Sequence, residues 1–156
     1  MTVAVYTCSE AETTELGKRI GAVLQQGDVI ALCGDLGAGK TRFVQGVAQG
    51  MGIDVPVVSP TFSLMNVYDH VPPLQHFDFY RLETEDELDT LGIDDYWESG
   101  ISLVEWSEKF PHRLPDDAAC ITICKTGGTS REFTVDAALN RWNILIKEVE
   151  KYVSCH

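Results

Sequence analysis

The sequence predicts a single α/β domain in which a mixed, largely parallel sheet is flanked by helices. Three observations predict it. The chain has 156 residues, 44% of them hydrophobic, which suits one ordinary domain with a real core. Two short apolar runs, Val29-Ile30-Ala31-Leu32-Cys33 and Ile101-Ser102-Leu103-Val104, read as strands buried on both faces, the habit of parallel strands. Capped helical patterns lie between the strand-like runs, so the two kinds of element alternate.

Taken in order, Val3 to Tyr6 reads as a short first strand. Ser9-Glu10-Ala11-Glu12 is a capping box opening a helix expected to run to about Leu24, and Gln26-Gly27-Asp28 breaks it. The buried strand 29–33 follows, then a glycine loop, then a helix from Lys40 to about Met51. Phe62 to Tyr68 and Leu74 to Phe79 read as strands joined by a turn at His70-Val71-Pro72-Pro73. Thr84-Glu85-Asp86-Glu87 opens a short helix ending near Gly92, and the strand from Ile101 comes next. Ala119 to Cys124 and Glu132 to Val135 alternate, joined as a hairpin by Thr126-Gly127-Gly128-Thr129. Leu139, Trp142, Leu145, Ile146, Val149 and Val153 form one face of a final helix packed on the sheet.

The formal net charge is −12, with 24 acidic and 12 basic residues. A protein that grips nucleic acid alone normally carries a basic patch, so independent nucleic-acid binding is not expected. No apolar run approaches the ~18 residues that span a membrane. No basic segment followed by a long apolar stretch opens the chain, so a cytoplasmic protein is expected. Cys33, Cys120 and Cys124 fall in strand-like runs and are expected to be buried, reduced thiols, with Cys120 and Cys124 on one face. No zinc-ligand spacing is evident.

The chemistry begins at Gly34-Asp35-Leu36-Gly37-Ala38-Gly39-Lys40-Thr41, which matches G-x-x-x-x-G-K-[ST]. Glycines let the backbone curl so that N–H groups point at phosphate oxygens, and the helix N-terminus adds its positive dipole end. Lys40 supplies a cation for the β- and γ-phosphates, and the Thr41 hydroxyl is placed to ligate Mg²⁺. Chance produces this pattern in about one of a few hundred chains of this length. With a buried strand before it and a helix after it, the pattern predicts a P-loop NTPase-like fold. A metal-bound phosphate also needs a carboxylate at a neighbouring strand tip, and two strands end in one, at Asp78 and at Glu105. Ser59-Pro60-Thr61-Phe62 lies where nucleotide switches keep a threonine that senses the γ-phosphate, although a proline-bounded strand entry has the same look. His76 reads as a packing or hydrogen-bonding residue, and Trp106 as core. No Asn-Lys-x-Asp run argues for guanine, so adenine is the default base.

Five motifs occur in order: the loop at 34–41, Ser-Pro-Thr-Phe at 59–62, His-Phe-Asp-Phe-Tyr-Arg-Leu at 76–82, Leu-Gly-Ile-Asp-Asp-Tyr at 91–96 and Val-Glu-Trp-Ser-Glu-Lys at 104–109. Together they resemble the TsaE family, bacterial ATPases needed to make threonylcarbamoyladenosine in tRNA. The resemblance runs from the first helix to Lys109. It implies ATP and Mg²⁺ as cofactors and TsaB and TsaD as partners, with tRNA met only within that complex. In it TsaB and TsaD transfer the threonylcarbamoyl group to the adenosine next to the anticodon, while the TsaE protein hydrolyses ATP and resets the complex. Carried onto this chain, Gly37, Ala38, Gly39, Lys40 and Thr41 hold the nucleotide, and Thr41 and Glu105 hold Mg²⁺. Thr61 and Asp78 join Lys40 in catalysis, Trp106 packs beside the metal carboxylate, and Arg131 contacts the nucleotide from the C-terminal hairpin. Met65-Asn66 departs from the family pattern but touches no implied ligand.

Two other readings compete. A P-loop small-molecule kinase would carry a lid rich in arginine, whereas Arg81, Arg113, Arg131 and Arg141 are scattered. A nucleotide-sensing regulatory module would not need both Asp78 and Glu105.

Overall fold

The computed structural model describes residues 1–35, 37–60 and 62–155, without the side chains of 153–155. Seven strands form one mixed sheet: β1 (Thr2–Thr7), β2 (Val29–Cys33), β3 (Met65–Tyr68), β4 (Leu74–Asp78), β5 (Ile101–Glu105), β6 (Ala119–Lys125) and β7 (Arg131–Asp136). Their order is β1-β7-β6-β2-β5-β4-β3. The central four, β6, β2, β5 and β4, run parallel, while β3, β7 and β1 add antiparallel edges. The expected parallel character therefore belongs to the middle of the sheet. There β2, β4 and β5 are almost wholly buried because both faces are covered.

On one face lie α1 (Glu10–Gly21), α2 (Lys40–Met51) and α5 (Asn143–Cys155). Leu16, Ile20, Phe43, Val47, Leu145 and Val149 pack there with Ile30, Leu32, Ile121 and Phe133 of the strands. The other face is covered by α3 (Glu85–Leu91), α4 (Ile93–Ser99) and the turns after β5, where Leu88, Ile93, Trp97 and Phe110 enclose Val29, Phe77 and Val104. Ser9 caps α1, its hydroxyl accepting from the Glu12 N–H at 3.1 Å, and Glu87 accepts from the Glu83 N–H at 2.9 Å ahead of α3.

Glycines set the spacing of the α1–α2 pair, which the sequence reading did not anticipate. A Cβ on Gly46 would lie 2.3 Å from the Thr14 carbonyl, and one on Gly17 would lie 2.5 Å from the Phe43 carbonyl. The helix that follows the glycine loop thus rests on α1 backbone to backbone. Gly46→Ala is expected to destabilise the fold by about 1–3 kcal/mol, the cost of overpacking, read as a lower urea midpoint with unchanged slope.

Several boundaries differ from expectation. The first helix stops at Gly21, short of Leu24, because Asp28 accepts from the Gln25 N–H at 2.7 Å and folds the chain back towards β2. Residues 62–64 form a turn, with Leu64 at φ 69° and its N–H bonded to the Pro60 carbonyl at 2.8 Å, so β3 starts at Met65. Gly92, at φ 76°, ends α3 and begins the unanticipated α4. Leu139 is exposed and precedes α5, so it is not on the buried face; the Val153 side chain lies outside the described residues.

The cysteines also depart from expectation: Cys33 and Cys120 are half-buried and Cys124 is exposed. The second apolar cluster contains no residue of β6, β7 or β1, so its cover on this sheet face stops short of Cys120 and Cys124. All four described cysteines, Cys8 included, are free thiols. Among the described residues no helix is long and apolar enough to cross a membrane.

Candidate active site

The C-terminal ends of the parallel strands open on a cleft of ≈ 350 Å³ lined by Gly37, Gly39, Lys40, Thr41, Asp78, Glu105, Trp106 and Arg131, among others. This is where ligands bind in open α/β sheets. β2 delivers the glycine loop, and β4 and β5 deliver the two carboxylates. Gly37 at φ 81° and Gly39 at φ 102° take backbone conformations that side chains resist, and Gly39 turns the chain into α2. Helix α2 thereby points its free N–H groups and positive end into the cleft.

Lys40 is held by two acceptors. Its Nζ donates to the Gly34 carbonyl at 2.8 Å and lies 3.5 Å from Glu105 Oε1. The other Glu105 oxygen, Oε2, accepts from His76 Nε2 at 2.7 Å. His76 is fully buried and Glu105 nearly so. Burial alone would push the Glu105 carboxyl up. The His76 hydrogen bond and the charges of His76 and Lys40 outweigh burial and hold it below the usual carboxylate range. Glu105 is thus kept ionised in a buried place. Asp78 is paired with Glu105 in the β4–β5 register and is also buried; its Oδ1 accepts from the Tyr80 N–H at 2.9 Å.

Arg131 braces the loop from the cleft side of the β6–β7 hairpin. Its Nε donates to the Ala38 carbonyl at 2.7 Å and Nη2 to the Gly37 carbonyl at 3.3 Å, while Nη1 reaches Ser130 of its own hairpin at 2.8 Å. Trp106, read from sequence as core, is 36% exposed, adopts a left-handed φ of 59°, and lines the cleft beside Glu105. Its ring meets Tyr80 at 4.9 Å, and Lys40 Nζ lies 5.7 Å from its centroid. Leu36 and Thr61 lie outside the described residues.

The structure thus brings together Gly37, Gly39, Lys40, Thr41, Asp78, Glu105, Trp106 and Arg131; Ala38 is buried beneath the loop. Sequence reasoning left His76 out of the site, although it makes the shortest contact to Glu105. It also missed Glu10 and Arg42, which pair at 3.2 Å at the rim. Alternation along β4 could have found His76, because His76 and Asp78 are two apart and share one side of the strand. Nothing in the sequence marks Glu10. The other arginines are engaged elsewhere: Arg113 with Asp89, Arg141 with Asp28 and Asp117, and Arg81 over the Phe62 ring.

Comparison with known proteins fits this site. The family model for threonylcarbamoyl adenosine biosynthesis protein TsaE matches residues 7–133, a span holding every cleft residue named above. The chain belongs to the TsaE family. The tRNA threonylcarbamoyladenosine biosynthesis protein TsaE of Bacillus subtilis (strain 168) is 42% identical over 148 residues, covering 94% of this chain and 92% of that protein. The TsaE of Nostoc sp. is 44% identical over 115 residues, 70% of either chain. The crystal structure of Bacillus subtilis YdiB superposes with a TM-score of 0.82 at 36% identity, covering 97% of this chain and 96% of that one. The likeness extends through the C-terminal third of this TsaE-family chain, where the motifs had stopped.

Proposed function

We propose that this TsaE-family protein is a Mg²⁺-dependent ATP hydrolase with a P-loop NTPase-like fold. In this reading it acts with TsaB and TsaD to form threonylcarbamoyladenosine next to the anticodon of tRNA, and does not itself transfer the group. The observation that carries the reading is Lys40, at the head of α2, held against an ionised and buried Glu105 with Asp78 beside it.

The donor set suits a magnesium nucleotide. Thr41, Asp78 and Glu105 offer hard oxygen atoms, and Mg²⁺ commonly takes only one or two carboxylates, with phosphates and water completing its shell. When bound, Mg²⁺·ATP supplies the transferable phosphoryl group and the negative charge that the site neutralises. With nucleotide bound, Lys40 would turn from Glu105 to the β- and γ-phosphates, and the Glu105 oxygen it now faces would be the one able to hold the metal. His76 keeps the other oxygen in place throughout and so sets the direction of the carboxylate. The loop N–H groups and Thr41 orient the phosphates, while Arg131 holds the loop closed and contacts the nucleotide from the hairpin. Asp78 orients the attacking water or steadies the segment around Thr61.

Mg²⁺·ATP is expected to raise the melting temperature, because the unfolded chain has no assembled site. At a hundredfold excess over Kd the gain is about 2.7 kcal/mol, roughly 5–10 °C for a chain of this size. GTP should give a smaller shift; an equal or larger one would overturn the adenine assignment.

The isolated chain is expected to bind tRNA poorly, since its −12 charge repels phosphate and offers few cations for counterion release. Tight, salt-sensitive binding of tRNA by this chain alone would contradict that.

A further inference from the structure

Two thiols stand side by side at the root of the phosphate loop. Cys33, the last residue of β2, and Cys120, near the start of β6, have their sulfurs 3.7 Å apart. Both are half-buried, at the edge of the second apolar cluster, which covers β4 and β5 on this sheet face but does not reach β6. Thr122 Oγ1 lies 3.9 Å from the Cys120 sulfur. We propose that Cys33 and Cys120 form a thiol modification site through which oxidation switches nucleotide binding off; the switching rests on the ATP-site reading above.

The chemistry assigns each thiol a part. With Cys33 donating its S–H, the hydrogen bond holds the Cys120 thiol below the usual thiol range, against burial and the charges of Asp136 and Glu108. The same bond raises Cys33, with burial and Glu108 adding to it and Lys40 opposing. Cys120, whose sulfur also has Thr122 Oγ1 beside it, acts as the nucleophile in this proposal. Its thiolate attacks a low-molecular-weight disulfide, forming a mixed disulfide and expelling one thiolate. Cys33 then gives up its proton and attacks the Cys120 sulfur, expelling the second thiolate. The protein loses two electrons and two protons, and the small disulfide becomes two thiols.

Closing that bond reaches the phosphate loop through the backbone. In the parallel register Cys120 faces Ala31 and Cys33 faces Thr122, so the two cysteines sit diagonally. Parallel strands ~4.8 Å apart with a rise of ~3.3 Å per residue put such a diagonal pair ~8 Å apart at Cα, past the ~7 Å limit for a disulfide. The end of β2 must therefore slide along β6. Gly34 follows directly, its carbonyl is the Lys40 acceptor, and a Cβ there would stand only 2.5 Å from the Ile123 carbonyl of β6. No slack separates the strand pair from the loop.

The test uses the full chain, reduced and then treated with oxidised glutathione. Peptide mass spectrometry locates the adducts, and ATP affinity is measured before oxidation, after it, and after dithiothreitol. The expected result is a Cys33–Cys120 link, ATP affinity lowered at least tenfold, and recovery on reduction. Cys33→Ser should carry glutathione on Cys120 without the link, and Cys120→Ser should keep its ATP affinity under oxidation. Adducts confined to Cys8, Cys124 and Cys155 would overturn the site, and a link that leaves ATP affinity unchanged would overturn the switch. If the reduced chain fails to bind ATP, the functional reading fails and the switch with it, while the mass of the linked peptide still decides whether the dithiol reacts.

Discussion

Lys40→Ala is expected to abolish ATP turnover and weaken ATP binding while leaving the fold intact. The ammonium is worth little to the folded chain, because Glu105 retains His76 when Lys40 is gone. Against a triphosphate it is worth far more. A hydrogen bond to a charged group contributes about 1.5–3 kcal/mol, which is roughly a 10- to 150-fold loss of affinity when removed. Arginine would not restore it, because a planar fork cannot replace a compact charge turned between Gly34 and phosphate. Circular dichroism like that of the wild type, together with unchanged ATP affinity, would sink the role given to Lys40.

The second large effect separates the paired carboxylates. As a metal ligand, directly or through water, Glu105 should govern Mg²⁺. Glu105→Ala is expected to raise the Mg²⁺ concentration needed for hydrolysis by roughly 10–100-fold, with excess Mg²⁺ partly rescuing the rate. Asp78→Ala is expected to lower kcat by roughly 10²–10⁴-fold with ATP binding nearly kept, the pattern of an interaction made mainly in the transition state. Removing Asp78 also frees the Tyr80 N–H, and the Tyr80 ring packs on Trp106, so Asp78→Asn serves as the control that keeps an acceptor in place. Each substitution removes negative charge near the triphosphate, and ATP binding is therefore to be saturated across the Mg²⁺ series. A Mg²⁺-rescuable defect in Asp78→Ala but not in Glu105→Ala would exchange the two roles.

Much of this site was legible because its parts are local. The glycine loop is eight consecutive residues, and the two carboxylates each end a strand-like run. What the residues alone left open was which strands lie together, and the sheet order resolves it by placing β5 between β2 and β4. The Lys40–Glu105–His76 chain joins the head of α2 to the strands β5 and β4 and has no local signature. The glycine contacts between α1 and α2 were equally hidden, since each glycine is explained only by the backbone it meets on the other helix. The misjudged cysteines have a general cause. Alternation shows that Cys120 and Cys124 share a face, but not whether a helix covers that face.

The central claim is that ATP hydrolysis at this site sustains tRNA modification. The most direct test is threonylcarbamoyladenosine formation over many turnovers with purified TsaB, TsaD and tRNA, with this chain added, omitted, or replaced by Lys40→Ala. The account predicts sustained modification with phosphate release only when the wild-type chain is present. Equal modification without the chain, or with Lys40→Ala in its place, would contradict it.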